Sequence, residues 1–121
     1  MNVIELLKNP SYDTPEGKMT PLLVNKNLSV IHLELPAGME VTPHSHPHEG
    51  IFMLISGSVS LVGDEPKEMK EGDIAVIPPG YPVGINSHSS SKAVLLSASA
   101  RYESIEELQD RLNQLFNQSS S

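Results

Sequence analysis

The 121-residue chain contains no cysteine. This absence excludes a disulfide framework, a zinc-thiolate site and a thiol nucleophile. A transition metal could therefore be held only by histidine, carboxylate, amide or water ligands. The chain also lacks tryptophan and has only three tyrosines and two phenylalanines, so we expect a largely aliphatic core.

Basic residues are scarce as well. Eight Lys and Arg stand against fifteen Asp and Glu, which gives a formal net charge of -7. A chain this acidic lacks the basic surface that binds nucleic-acid phosphates or anionic lipid, so we expect neither nucleic acid nor membrane as a partner. Residues 1–8 do not resemble a signal peptide, and the longest apolar run, residues 51–55, is too short to span a bilayer. These features predict a cytoplasmic protein.

Turn-forming residues are abundant, with ten prolines and eight glycines. Between residues 19 and 102 they separate short apolar runs, a pattern typical of an all-β sandwich or barrel. We therefore divide the chain into an N-terminal segment (1–18), a barrel (19–102) and a C-terminal helix with a frayed tail (103–121). The helix is predicted from a capping-box pattern at Ser104 and from the helical spacing of Ile105, Leu108, Leu112 and Leu115.

The run of residues 51–55 is apolar at every position. A strand with one wet face should alternate, so this pattern predicts burial on both faces. The outer cover could be the N-terminal segment, the C-terminal helix or a second copy of the chain. A homodimer is the hypothesis that we favour.

Three of the five histidines, His44, His46 and His48, fall within five residues. If this stretch is extended, their side chains share one face and could converge on a divalent metal such as Zn, Mn, Fe or Ni. Phe52 and Leu54 have the same parity and are predicted to form an apolar wall of a ligand pocket.

These histidines belong to a wider pattern of landmarks. The pattern consists of Gly38, His44, His46 and Gly57, followed after a short segment, residues 58–71, by Gly72, Pro78 and Gly80. In this spacing the chain resembles the cupin family over residues 28–100. The resemblance implies a jelly-roll barrel of two antiparallel sheets. It also implies a metal set of two His and one Glu from the first motif and one His from the second.

Two of those four ligand positions are changed in this sequence. Gly50 stands where the family has Glu, and Val83 stands where it has the second-motif His. Glu49 lies one residue early, and a β-bulge would be needed to bring it to the same face. Either His48 replaces a lost ligand, or the barrel has lost its metal and the histidines form a polar floor for an organic ligand.

The other polar candidates rank lower. His32 shares a strand face with Glu34 and is predicted to be solvated, and His88 lies in a Ser-rich hairpin. Tyr81 is predicted to lie at the mouth of the barrel. We include Tyr81 and Val83 among the candidate ligand-binding residues. Three functional hypotheses remain open: a small-molecule-binding cupin with or without metal, a metal-dependent enzyme of oxygenase or isomerase type, and a non-catalytic accessory barrel.

Overall fold

The computed structural model describes residues 1–98, 102–116 and 118. Short strands dominate, as the spacing of turn residues predicts, and one α-helix follows them. The elements in chain order are a 3₁₀ helix (Leu6–Lys8), β1 (Tyr12–Thr14), β2 (Gly17–Val24), β3 (Ser29–Leu35), β4 (Glu40–His44), β5 (Gly50–Ser56), β6 (Val59–Val62), β7 (Lys67–Met69), β8 (Ile74–Ile77), β9 (Val83–Ser87), β10 (Ser91–Ser97) and α1 (Ile105–Leu115).

The strands form two antiparallel sheets. The larger sheet has six strands in the order β1-β2-β3-β10-β5-β8, and the smaller has four in the order β4-β9-β6-β7. This architecture confirms the predicted jelly roll. Because β1 and β2 both begin before residue 19, the larger sheet extends into the segment 1–18.

The core lies between the two sheets and is mainly aliphatic, as the scarcity of aromatic residues predicts. Side chains that point inward from both sheets are almost completely buried, among them Leu35, Phe52, Leu54 and Val59. Alternation along β5 places Phe52 and Leu54 in this core, while Ile55 on the opposite face is 45% exposed.

A glycine fixes the turn between β5 and β6. Gly57 has φ = +95°, a left-handed conformation that side chains rarely adopt, and an added Cβ would overlap Ser91. Ser91 is itself buried and its hydroxyl bonds the backbone of the same turn. The turn therefore accepts no side chain at position 57.

Helix α1 starts where the capping pattern predicts. The Ser104 Oγ accepts a hydrogen bond from the Glu107 N–H, and the Glu107 carboxylate in turn accepts one from the N–H of Glu103. Leu108 and Leu112 are buried against the core, and the helix packs on β2. The predicted frayed tail lies outside the described residues, except for Gln118, which forms an isolated bridge with Tyr12.

The outer face of the larger sheet is apolar across its last three strands. Ile51 and Met53 on β5 each lie between a partner on β10 and a partner on β8. In the single chain this face is open to solvent, and the exposed fraction reaches 58% at Ile74 and 61% at Val76. None of the helices in the described ranges is long and apolar enough to cross a membrane.

Candidate metal centre and ligand cavity

A bulge in β4 determines where the first histidine lies. Val41 pairs with Ile85, and His44 pairs with Val83, so three steps on β4 oppose two on β9. Gly84 lies between the two pairs, and a Cβ at this position would collide with the backbone of the bulge. Glycine at position 84 therefore permits the close approach that brings His44 to the end of the strand.

Three potential metal ligands meet at this end of β4. The Nε2 atom of His44 is 2.5 Å from a carboxylate oxygen of Glu16, and the His46 ring packs edge-on against His44 with ring centroids 4.8 Å apart. One ligand atom from each of the three residues lies within 4.8 Å of the others. Two imidazoles and a carboxylate thus share one small volume.

The turn between β1 and β2 presents Glu16. The Thr14 hydroxyl accepts a hydrogen bond from the Glu16 N–H (3.0 Å) and donates one to the Gly17 carbonyl oxygen (2.8 Å). Gly17 has φ = +104°, and a Cβ there would lie 2.6 Å from the Glu34 carbonyl oxygen. A tight turn that tolerates only glycine at its end therefore directs the carboxylate toward β4.

The hydrogen-bond pattern of His44 fits a cation at this point. Its Nδ1 lies 3.0 Å from the Thr42 carbonyl oxygen, and its Nε2 faces the Glu16 carboxylate, so both ring nitrogens face oxygen acceptors. A neutral imidazole can donate from only one nitrogen. A proton or a metal ion between Nε2 and Glu16 satisfies both contacts, and the bond from Nδ1 to a carbonyl is the orientation common in metal-binding histidines.

A cavity of about 510 Å³ opens at the other edge of the sandwich, between β6, β7 and β8. Leu61, Met69 and Val83 line it from the smaller sheet, and Ala75 and Ile77 line it from the larger one. The mouth carries Tyr81 and the charged residues Glu65, Lys67, Glu68 and Asp73. This size and this mixture of an apolar wall with a few polar groups are typical of small-molecule sites.

Comparison with known proteins assigns the chain to a family. The model of the cupin domain matches residues 31–99, more than half of the chain. The protein is a cupin. No curated protein matches its sequence significantly.

Several solved structures share the fold at low sequence identity. An RmlC-like cupin from Shewanella frigidimarina superposes with a TM-score of 0.73 at 18% identity, covering 84% of this chain and 94% of that one. KdgF from Halomonas gives 0.75 at 19% identity, with 84% and 96% covered. The polyketide cyclase RemF from Streptomyces resistomycificus gives 0.68 at 18% identity, with 80% and 77% covered.

The structure of this cupin separates the residues that the sequence groups together. His44 and His46 lie with Glu16, whereas His48 is exposed and is not in that group of potential ligands. Strand β4 ends at His44, so the alternation that would align the three histidines does not reach His46 and His48. The role of His48 as a ligand stays a prediction.

The apolar candidates divide between the core and the cavity. Tyr81 and Val83 line the cavity of this cupin, while Phe52 and Leu54 are buried in the core. None of the three clustered histidines is among the described residues that line the cavity. Two of the four ligand positions implied by the cupin resemblance are taken by Gly50 and Val83, and Val83 lies beside the apolar residues of the cavity.

Glu16 is the site residue that sequence reasoning missed. It lies far upstream of the cupin motif, in the segment set apart as N-terminal, and only the fold brings it to His44. The available signal was the Thr14-Pro15-Glu16-Gly17 turn pattern, which predicts a hairpin that presents its central residues.

The structure also places the two remaining histidines, His32 and His88. His32 was expected to be solvated, but this is wrong, because its side chain is only 5% exposed and burial lowers its pKa. His88 lies on the outer face of the smaller sheet, where its Nε2 is 2.5 Å from the Ser60 hydroxyl, which in turn donates to Glu68. Alternation on β3 does not reveal which outward positions other segments cover.

Proposed function

We propose that this cupin binds a small, partly apolar organic molecule in the cavity between its two sheets. The cavity itself carries the proposal, because its volume, its aliphatic walls and its polar mouth suit such a ligand. The third hypothesis, an accessory barrel with a filled interior, is less favoured. Phe52 and Leu54 pack in the core and leave the space beside Val83 open.

The test uses untagged protein and two probes. Native mass spectrometry, followed by denaturation, would detect a co-purifying small molecule. A neutral apolar fluorophore such as N-phenyl-1-naphthylamine would report on the cavity. Ala75→Phe, which fills the cavity wall, should abolish fluorophore binding, whereas Ala37→Phe in an exposed turn should not. Equal binding by both variants and the wild type would refute the assignment of the ligand to this cavity.

We further propose that a divalent metal ion, Zn, Mn, Fe or Ni, binds at His44 and His46. The cation-accepting contacts of His44 and the adjacent His46 ring support this site. Elemental analysis of untagged wild-type protein should find near-stoichiometric metal, and the His44→Ala/His46→Ala variant should contain none. Absence of metal from wild-type protein incubated with each of the four ions would overturn this part of the proposal.

A metal-dependent enzyme is the second candidate function. Two histidines and one carboxylate form a ligand set with positions left over for water or substrate, as catalytic sites require. A bound metal would act there as a Lewis acid or activate water or oxygen. His44 would be oriented by the Thr42 carbonyl, and the exposure of His46 would leave the centre accessible to substrate. Turnover of a candidate substrate that is lost in the His44→Ala/His46→Ala variant would favour this function over simple binding.

We also propose a homodimer that uses the apolar outer face of the larger sheet. Six uncharged side chains form two adjacent rows across its last three strands: Leu96, Ile51 and Val76 in one, and Val94, Met53 and Ile74 in the other. A second copy would bury them and explain why β5 is apolar on both faces. Sedimentation equilibrium should show a dimer that Ile74→Asp dissociates and Leu115→Asp, on the distant helix α1, does not. A monomeric wild type would overturn it.

The cytoplasmic location is a proposal from composition. It rests on the absence of cysteine and the acidic charge balance, and cell fractionation would test it.

A further inference from the structure

We propose that Glu16 is the third protein ligand of the metal centre, so that the bound ion joins the β1–β2 turn of the larger sheet to β4 of the smaller one. This inference rests on the metal proposed at His44 and His46. The observation behind it is the contact of the Glu16 carboxylate with Nε2 of His44, beside the ring of His46.

Binding of a tetrahedral ion would require only small shifts of the three ligand atoms. Ligands about 2.0–2.2 Å from a tetrahedral ion lie roughly 3.4 Å apart. The Glu16 and His44 atoms are already closer than this, at 2.5 Å, and the widest separation in the group is 4.8 Å or less. His46 lies beyond the end of β4 and is exposed, so its ring can adjust without disturbing the core.

The hydrogen bonds and packing of the β1–β2 turn fix the position of Glu16. The Thr14 hydroxyl bonds the turn backbone on both sides of Glu16, and Gly17 lets the turn pack against β3. The carboxylate side chain is 38% exposed and that of His44 is 39% exposed, so an ion can reach both. The carboxylate also supplies negative charge that Gly50 cannot.

The position of the site predicts that a bound ion stabilises the fold. β1 is the edge strand of the larger sheet, and β4 is the edge strand of the smaller one. A metal held by Glu16 and His44 would therefore link these two edge strands across the seam, the junction between the edges of the two sheets. Because such a site is absent in the unfolded chain, metal binding adds directly to the free energy of unfolding.

The experiment compares metal affinity and thermal stability across three untagged proteins stripped with chelator. They are the wild type, Glu16→Gln and Glu40→Gln, and the probe is Zn²⁺ alone, with Mn²⁺ and Ni²⁺ as repeats. Glu40 is an exposed carboxylate at the other end of β4 and serves as the matched control. Circular dichroism without metal confirms that each variant folds.

The expected result is a loss of about 100-fold or more in Zn²⁺ affinity for Glu16→Gln, with Glu40→Gln within about twofold of wild type. A hundredfold excess of ion over Kd should raise the wild-type Tm by at least about 5 °C, and this rise should vanish in Glu16→Gln. Wild-type affinity in Glu16→Gln would overturn the inference while leaving the metal at His44 and His46 intact. No binding by any protein would overturn both, and fluorophore binding in the cavity would still be tested separately.

Discussion

The two open edges of the sandwich differ in chemistry. At the edge where β1 meets β4, Glu16, His44 and His46 form a polar, partly exposed group of potential metal ligands. At the edge where β7 meets β8, aliphatic side chains surround a cavity of about 510 Å³. Val83 marks the boundary, because it lines the cavity and also pairs with His44.

This difference accompanies two departures from the cupin motif. The resemblance to cupins implies that metal ligands and ligand pocket coincide inside the barrel. Here Gly50 and Val83 stand at two of the implied ligand positions, and Nε2 of His44 contacts Glu16. We therefore propose separate sites for a metal and for an organic molecule. The predictions below test that separation, from the largest expected effect to the smallest.

Removing both imidazoles should abolish one site only. In the His44→Ala/His46→Ala variant, bound metal should fall from near one equivalent to near zero, since only Glu16 remains of the ligand group. Because both side chains are partly exposed, stability without metal should change by less than about 0.5–1 kcal/mol. Elemental analysis and urea denaturation measure the two quantities. A large destabilisation would mean that these histidines serve the fold instead.

Adding a side chain at Gly84 should disrupt the backbone of the β4 bulge. Gly84→Ala forces a Cβ into the bulge backbone and should destabilise the fold by about 1–3 kcal/mol, as overpacking does. It should also displace His44 and weaken metal binding. Gly50→Ala is the control, because the nearest atoms to its Cβ are 3.7 Å and 3.8 Å away. Equal unfolding midpoints for the two variants would contradict this account of the bulge.

The turn that presents Glu16 should matter to the metal more than to the fold. Thr14→Val keeps the shape of the side chain but removes both hydroxyl hydrogen bonds to the turn. Metal affinity should fall by about tenfold, the smaller effect expected of a positioning residue, while fluorophore binding in the cavity stays unchanged. Titration calorimetry with Zn²⁺ and fluorescence titration measure the two affinities. An equal loss of zinc affinity and of fluorophore affinity would contradict the claim that the two sites are independent.

His32 provides a pH test that involves neither edge. Burial is the main cause that lowers its pKa from 6.5, so below that pH the unfolded chain takes up a proton more readily than the folded one. The contribution of His32 is therefore complete above about pH 6.5 and is lost as the pH falls. Urea denaturation between pH 7 and pH 5 should show a shallower decline for His32→Leu than for wild type. Parallel declines would show that His32 is not the titrating group.

Much of the fold was predictable because it depends on local chemistry. Turn residues separate the strands, alternation places Phe52 and Leu54 inward, and Ser104 caps α1 as its sequence pattern predicts. The proximity of His44 and His46 to each other also follows from their closeness in the sequence. These features rest on residues close together in the sequence.

The composition of the site was less predictable because it depends on contacts distant in sequence. Glu16 reaches His44 only through the pairing of β1, β2 and β3 and the seam that they form with β4. The end of β4 at His44 also breaks the alternation on which a three-histidine site relied. The burial of His32 likewise depends on neighbours that strand periodicity does not reveal.

The most direct test of the separation is fluorophore binding by the His44→Ala/His46→Ala variant. The neutral probe N-phenyl-1-naphthylamine would be titrated into this variant and into wild-type protein, both free of metal. We predict the same dissociation constant within about twofold, because neither histidine is among the residues lining the cavity within the described ranges. A loss of fluorophore affinity of tenfold or more, about 1.4 kcal/mol, would contradict the account and would indicate that the histidines belong to the ligand-binding site.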